Sequence, residues 1–154
     1  MVANPTPLPP TPSSPAVAVS AAEYRRRRRH LLAALGETGI ALLAAAPERV
    51  RNGHTLYPYR QSSDFSYLTG FPEPEALLVL APGRREGEVV FFCRPRDPER
   101  ERWEGTRAGV EGAVEHYGAD QAFPIAALVE ELPKLLRDRD RLHYPLTQDA
   151  DLDA

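Results

Sequence analysis

The side chains with the greatest chemical potential in this sequence are four histidines and one cysteine: His30, His54, His116, His143 and Cys93. A hydrolytic metal site needs ligands that converge, and neither a His-Glu-x-x-His motif nor a pair of cysteines occurs. The Gly-x-Ser-x-Gly motif of a serine nucleophile and a glycine-rich phosphate loop are also missing. We expect structural or surface roles for His30, His116, His143 and Cys93. The sequence therefore predicts no self-contained active site and no metal or cofactor held by these residues.

Five consecutive arginines, from Arg25 to Arg29, form the strongest charge cluster. A basic patch of this kind is one way to bind nucleic acid. The whole chain, however, has 19 basic and 22 acidic side chains and a net charge of -3, whereas nucleic-acid-binding domains usually carry a basic excess. We expect a solvated helix face whose arginines reach Glu99, Glu101 or Glu104, with nucleic-acid binding as an alternative.

Trp103 is the only tryptophan and lies among charged residues that follow a proline-containing turn. A large aromatic side chain in such a setting is often an interface or ligand contact. The competing interpretation is a side chain that packs locally over the edge of the core. The residues alone leave these two interpretations open.

The segment 57–76 combines aromatic, polar and turn-forming residues and leads directly into the apolar run 76–80. Its residues of interest are Tyr57, Tyr59, Arg60, Asp64, Gly70 and Glu75. Arg60 and Asp64 are spaced to pair across one helical turn, which would fix the loop. Gly70 is expected to end a short helix that begins at Ser62 or Ser63.

The length of 154 residues supports one ordinary domain. Residues 1–19 form a proline-rich tail that we expect to be disordered, residues 20–146 the folded domain, and residues 147–154 a linker or chain end. A single cysteine cannot form an internal disulfide, which suits a reducing cytoplasm. No apolar run approaches the roughly 20 residues that cross a bilayer, and no signal peptide is recognised, so we expect a cytoplasmic protein without a membrane partner.

Helix and strand signals alternate along the domain. Ser20 and Glu23 have the spacing of a capping box, which predicts a helix ending at Gly36 or Gly39. The remaining expected elements are a strand at 40–46, a loop at 52–60, the short helix at 62–68, a hairpin of strands 76–80 and 88–93, a helical turn at 98–103, a weak helix at 110–117, a helix at 124–137 and a strand at 142–146. This order predicts a single α/β domain with a mixed β-sheet flanked by helices.

The pattern YPYRQxSDFxYLTGFxEPEA at positions 57–76 resembles the amino-terminal domain of Xaa-Pro aminopeptidases (aminopeptidase P), in the creatinase/prolidase superfamily. Two further segments resemble the same domain in the same order. One is Arg-Arg followed by Leu31 and Leu32, and the other is the stretch 94–97 followed by Trp103 and Gly105. The resemblance extends over about residues 23–146, which is nearly all of the expected folded part.

The resemblance implies a function that is shared between two domains. Enzymes of this family release the first residue of peptides whose second residue is proline. Their carboxy-terminal pita-bread domain holds two divalent metals, usually manganese, through two aspartates, one histidine and two glutamates, and the metals activate a water. That catalytic domain is absent from this sequence, so the resemblance implies an inactive fragment. It also implies a role in assembling oligomers and in shaping the substrate entrance.

The resemblance further assigns partners and two site residues. Trp103 aligns with a tryptophan that reaches a neighbouring subunit's substrate pocket, and His54 falls where some relatives have a pocket-lining aspartate. The implied partners are the enzyme's own catalytic domain, further copies of the chain and a peptide with proline second. A stand-alone peptide-binding or assembly module is the second hypothesis that the sequence leaves open.

Overall fold

The computed structural model describes residues 18–53 and 55–145. The predicted tail up to residue 17, His54 and the predicted linker at 147–154 lie outside these residues. The strands are β1 (Gly39–Ala44), β2 (Val50–Asn52), β3 (Thr55–Leu56), β4 (Leu77–Leu80), β5 (Val89–Cys93), β6 (Gln121–Pro124) and β7 (Arg141–His143). The helices are α1 (Ala21–Leu35), α2 (Ser63–Thr69), α3 (Pro98–Glu104), α4 (Gly109–Glu115) and α5 (Leu128–Leu136), with a 3-10 turn at Ile125–Ala127.

Five strands form one mixed sheet in the order β6-β5-β4-β1-β7, and β2 pairs with β3 in a separate hairpin. The pairs β1–β4 and β4–β5 are antiparallel, whereas β1–β7 and β5–β6 are parallel. The predicted hairpin of two apolar strands is therefore confirmed as β4–β5. The predicted α/β fold with a mixed sheet flanked by helices is also confirmed.

The central strand β4 is buried along its whole length because helices cover both faces of the sheet. Leu78 and Leu80 point to the face that packs against α1, α2 and α4, where Phe65, Phe71 and Phe91 meet edge to face or tilted. On the opposite face, the intervening residues of β4 pack against α5. A strand buried on both faces reads as a continuous apolar run, which is why this strand was predictable.

Helices α1 and α2 begin and end for identifiable reasons. The Ser20 hydroxyl accepts a hydrogen bond from the Glu23 amide at 3.2 Å, as a helix N-cap does. The Glu23 carboxylate binds Arg26 and Arg27 at 2.8–2.9 Å, so only the serine half of the predicted capping box is realised. Gly70 ends α2 with a φ of 65°, a left-handed conformation that favours glycine, as predicted.

Three expectations about local structure were wrong. The segment predicted as a loop at 52–60 contains β3, which pairs with β2. The strand β6 was missed because its last residue, Pro124, suggested the first position of a helix. Pro124 instead ends the strand at the edge of the sheet, where its missing N–H breaks no ladder, and α5 begins four residues later after the 3-10 turn. The last strand begins at Arg141 and ends at His143 rather than covering 142–146.

Candidate functional site

Trp103 lies on α3 with 90% of its surface exposed. No residue of this helix is buried, so α3 lies on the domain without inserting a side chain into the core. The interpretation of Trp103 as a locally packed residue is therefore wrong. The indole is an apolar surface that the described residues leave uncovered.

The amino-terminal half of α3 is held by polar contacts. The Asp97 side chain accepts hydrogen bonds from the amides of Glu99 and Arg100, both at 3.2 Å. The Arg96 guanidinium donates two hydrogen bonds to the Glu101 carboxylate at 2.8 and 2.9 Å. This two-bond pairing holds the pKa of Glu101 below its usual range.

The carboxy-terminal end of α3 is held by Arg107, which is 6% exposed. Its guanidinium donates to the Glu104 carboxylate at 2.6 Å, and this bond lowers the pKa of Glu104. The next residue, Ala108, donates its amide to Glu73 Oε1 at 2.6 Å. The other Glu73 oxygen lies 3.5 Å from the Arg94 guanidinium, an ion-pair distance without hydrogen-bond geometry.

Glu73, Arg94, Glu104 and Arg107 line a cavity of about 400 Å³ between the 72–75 turn and the 104–107 loop. Three buried polar atoms beside it have no hydrogen-bond partner in the described part of the chain: Glu73 Oε2, Arg94 Nε and Arg107 Nε. Glu75 lies at its rim, with a positive φ of 51° and an oxygen 3.9 Å from Arg94.

The segment 57–64 lines a second, larger groove of about 550 Å³. Tyr59 donates its hydroxyl to the Ala46 carbonyl at 2.9 Å, and its burial raises the pKa of the phenol to about 12. Tyr57 is exposed, with the Arg51 guanidinium 6.0 Å from the ring centre. Tyr59 therefore anchors the segment, whereas Tyr57 faces solvent.

The predicted pairing of Arg60 with Asp64 was wrong, because both side chains are exposed at the groove and no ion pair joins them. The loop is fixed instead by Gln61, which the sequence analysis missed. Its Oε1 accepts from the amides of Ala46 and Ser62, and its Nε2 donates to the carbonyls of Phe71 and Glu73, all at 2.8–3.2 Å. No sequence signal distinguishes this glutamine from an exposed one.

The arginine run is largely used inside the domain, so the expected solvated face was only partly right. Arg28 is 2% exposed and donates to the carbonyls of Leu68 and Gly118 at 2.9 and 3.2 Å. Burial, together with nearby Arg25, lowers the pKa of Arg28. These carbonyls lie at or just beyond the carboxyl ends of α2 and α4, where cations interact favourably with the helix dipole.

The acidic partners expected for the run were also wrong. Arg26 and Arg27 bind Glu23, and Arg27 also donates to the Tyr67 carbonyl at 2.9 Å. Glu101 and Glu104 pair instead with the two arginines that hold α3. Within the run, only Arg25 and Arg29 make no ion pair or hydrogen bond to another residue of the described ranges, which leaves two separated charges there rather than a continuous basic patch.

The histidines within the described ranges do not come together. His30, His116 and His143 are all exposed, on α1, at the end of α4 and on edge strand β7. Across residues 18–53 and 55–145, no three His, Cys, Asp or Glu side chains are grouped as metal ligands. The described residues therefore do not fit the two-metal centre that the resemblance implies for the enzymes.

Cys93 is a buried free thiol at the end of β5, and burial raises its pKa to about 11. Within the described ranges, no helix has the length and apolarity needed to span a bilayer.

Comparison with known proteins decides the family. The model of the aminopeptidase P amino-terminal domain matches residues 24–144. The chain belongs to this family. It is 40% identical over 127 residues to the Xaa-Pro aminopeptidase of Escherichia coli, covering 82% of this chain and 29% of that protein. The Xaa-Pro aminopeptidase of Haemophilus influenzae is 38% identical over 122 residues, covering 79% of this chain and 28% of that protein.

Solved structures of the family have the same fold. The structure of Pseudomonas aeruginosa aminopeptidase PepP superposes with a TM-score of 0.85 at 53% identity, over 88% of this chain and 30% of that one. Escherichia coli aminopeptidase P superposes with a TM-score of 0.84 at 38% identity. The chain thus contains an aminopeptidase P amino-terminal domain, and it spans less than a third of the length of the relatives it matches.

Proposed function

We propose that this domain serves oligomer assembly and shapes the substrate entrance of a metal-dependent Xaa-Pro aminopeptidase. In this proposal, peptides with proline second are cleaved by a catalytic domain outside the described residues. Trp103 is the observation that carries it. A tryptophan that is 90% exposed on a helix with no buried residue offers its apolar surface to another chain or to a ligand.

We propose that the two divalent metals of the enzyme, manganese by family resemblance, are held by that catalytic domain. The carboxylates of Glu73 and Glu104 beside the cavity, and that of Glu101 on α3, support this assignment, because arginines or a backbone amide already engage them. Ligands for a dinuclear centre must be free carboxylates and imidazoles that converge.

A reducing, cytoplasmic location is proposed on the buried, unpaired state of Cys93.

The proposal is tested by joining this domain to the remaining part of the Escherichia coli Xaa-Pro aminopeptidase, in place of the part it matches. Release of the first residue from a tripeptide with proline second is measured for this chimaera and for its Trp103→Ala and Arg102→Gln variants. Arg102 is the matched control, because it is an exposed neighbour of Trp103 and makes no ion pair with any residue that the structure describes. The proposal predicts reduced release only for Trp103→Ala. If both variants release the first residue as fast as the unsubstituted chimaera, the entrance role is refuted.

A second candidate function is a stand-alone assembly or peptide-binding module, favoured by the β2–β3 hairpin. The hairpin and the residue that follows it expose three large apolar side chains: Val50 at 62%, Leu56 at 44% and Tyr57 at 54%. Neighbouring apolar side chains that remain in water are typical of interaction surfaces. Light scattering on the chain alone tests this function, and a strict monomer at all concentrations would count against it. A nucleic-acid partner is not proposed, because the arginine run is mostly bound within the domain.

A further inference from the structure

We propose that Arg107 is a positioning residue that fixes helix α3, and thereby the direction in which Trp103 leaves the domain. Helix α3 has seven residues, none of them buried. A helix this short is marginal in water without tertiary contacts. Because hydrophobic anchoring is missing, the orientation of α3 depends on the polar contacts at its two ends.

At the carboxy-terminal end, Arg107 connects α3 to the core. Its guanidinium reaches Glu104 at 2.6 Å, and Glu104 directly follows Trp103. Arg107 itself cannot move freely, since it is 6% exposed and the adjacent Ala108 amide is bound to Glu73 at 2.6 Å. The chain of contacts therefore runs from the turn before β4 to the residue beside the indole.

At the amino-terminal end, Arg96 holds Glu101 through two hydrogen bonds. Glu101 and Glu104 are three residues apart, so they lie on the same side of α3 with Trp103 between them in sequence. Two anchored carboxylates on one side fix the rotation of the helix about its axis. They therefore also fix the side from which the indole projects.

The use of this positioned indole as an interface or pocket contact rests on the proposed function, whereas the positioning itself does not. The test is therefore made on the domain alone. Because Trp103 is the only tryptophan, its fluorescence anisotropy reports the motion of α3 without a label. Backbone amide exchange at Glu101 and Gly105 reports opening of the helix, since these amides donate to the carbonyls of Asp97 and Glu101.

Glu104→Gln removes the charge of the pair while keeping the shape of the side chain, and Glu104 is exposed enough that folding is retained. The proposal predicts roughly five-fold faster exchange at Gly105 and a lower anisotropy of Trp103, because the guanidinium then donates to a neutral amide oxygen and the ion pair is lost. Arg102→Gln, one residue from the indole, should leave both measurements unchanged.

Arg107→Lys provides the second variant, because an ammonium keeps the positive charge and one bond to the carboxylate, whereas glutamine lacks the charge. Its exchange rate should fall between those of the wild type and Arg107→Gln. Wild-type exchange and anisotropy in both Glu104→Gln and Arg107→Lys would overturn the proposal. If α3 loosens as expected while Trp103→Ala leaves the chimaera fully active, the positioning stands and the entrance role fails.

Discussion

Gln61 offers the sharpest test of what holds the 57–76 segment together. Its amide oxygen accepts two backbone hydrogen bonds and its amide nitrogen donates two, joining the chain after β1 to the turn before β4. Gln61→Glu keeps the size of the side chain and both accepted bonds. It removes both donated bonds and brings a carboxylate against the carbonyl oxygens of Phe71 and Glu73.

The expected loss of stability follows from these contacts. Two lost hydrogen bonds account for about 2 kcal/mol, since each contributes about 1 kcal/mol net. A half-buried charge facing two carbonyls adds about 1–2 kcal/mol after allowance for solvent. We therefore expect the free energy of unfolding to fall by about 3–4 kcal/mol at pH 7, out of the 5–15 kcal/mol typical of a domain.

The pH dependence of this variant has a defined sign. The carbonyls disfavour the ionised form, so the pKa of the introduced carboxyl is raised in the folded state above its unfolded value of about 4.3. A carboxyl whose pKa is raised on folding contributes to the free energy of unfolding. This contribution is fully present below the unfolded pKa and is lost as the pH rises through the folded pKa. The difference from the wild type should therefore shrink to about 1–2 kcal/mol near pH 4, where the protonated carboxyl donates one bond.

The assay is urea denaturation at pH 7 and near pH 4, with Gln121→Glu as the control. Gln121 accepts a hydrogen bond from Arg84 at 2.6 Å, so the same substitution there replaces a neutral acceptor with a charged one. Gln121→Glu should be neutral or slightly stabilising. A Gln61→Glu variant that is as stable as the wild type, or that loses equally at both pH values, would refute the account of Gln61.

Three further predictions concern other parts of the domain. Gly70→Ala should lower the free energy of unfolding, measured by urea denaturation, by about 1 kcal/mol more than Gly83→Ala. Both glycines have a positive φ, but only at Gly70 would an added Cβ meet a tyrosine ring, at 2.6 Å. Cys93 should react with a thiol reagent at pH 8 only as fast as the domain unfolds, since the thiol is buried with a pKa of about 11. Arg107 lowers the pKa of Glu104. The stabilisation that this ion pair gives is therefore present above the ordinary carboxyl pKa, and it is lost as the pH falls through the lowered pKa of Glu104. The anisotropy of Trp103 should therefore decrease on acidification before the far-ultraviolet circular dichroism changes, and simultaneous loss of both signals would contradict this.

The parts of the fold that could be predicted are those where one residue type has one physical consequence. Ser20 and Gly70 mark helix ends because a hydroxyl caps amides and because glycine accepts a positive φ. The short apolar runs of β4 and β5, bounded by turn residues, are typical of buried strands. Pro124 was misread because proline is equally acceptable at the start of a helix and at the end of an edge strand.

The candidate site was less predictable because its contacts are between residues far apart in sequence. Glu73 reaches the Ala108 amide across 35 positions, and Arg28 reaches the Gly118 carbonyl across 90. Charged residues such as these carry the same sequence signal whether they are exposed or buried. Trp103 could be selected as unusual among charges, but its exposure depends on how α3 is anchored, which no local pattern records.

We propose that this domain presents a surface to the rest of an enzyme and does not itself break the peptide bond. The most direct measurement is release of the first residue from a tripeptide with proline second, using the 154-residue chain alone with added Mn²⁺. The account predicts no release above that of the buffer with Mn²⁺. Release that increases in proportion to the concentration of this chain, and disappears with a chelator, would contradict it.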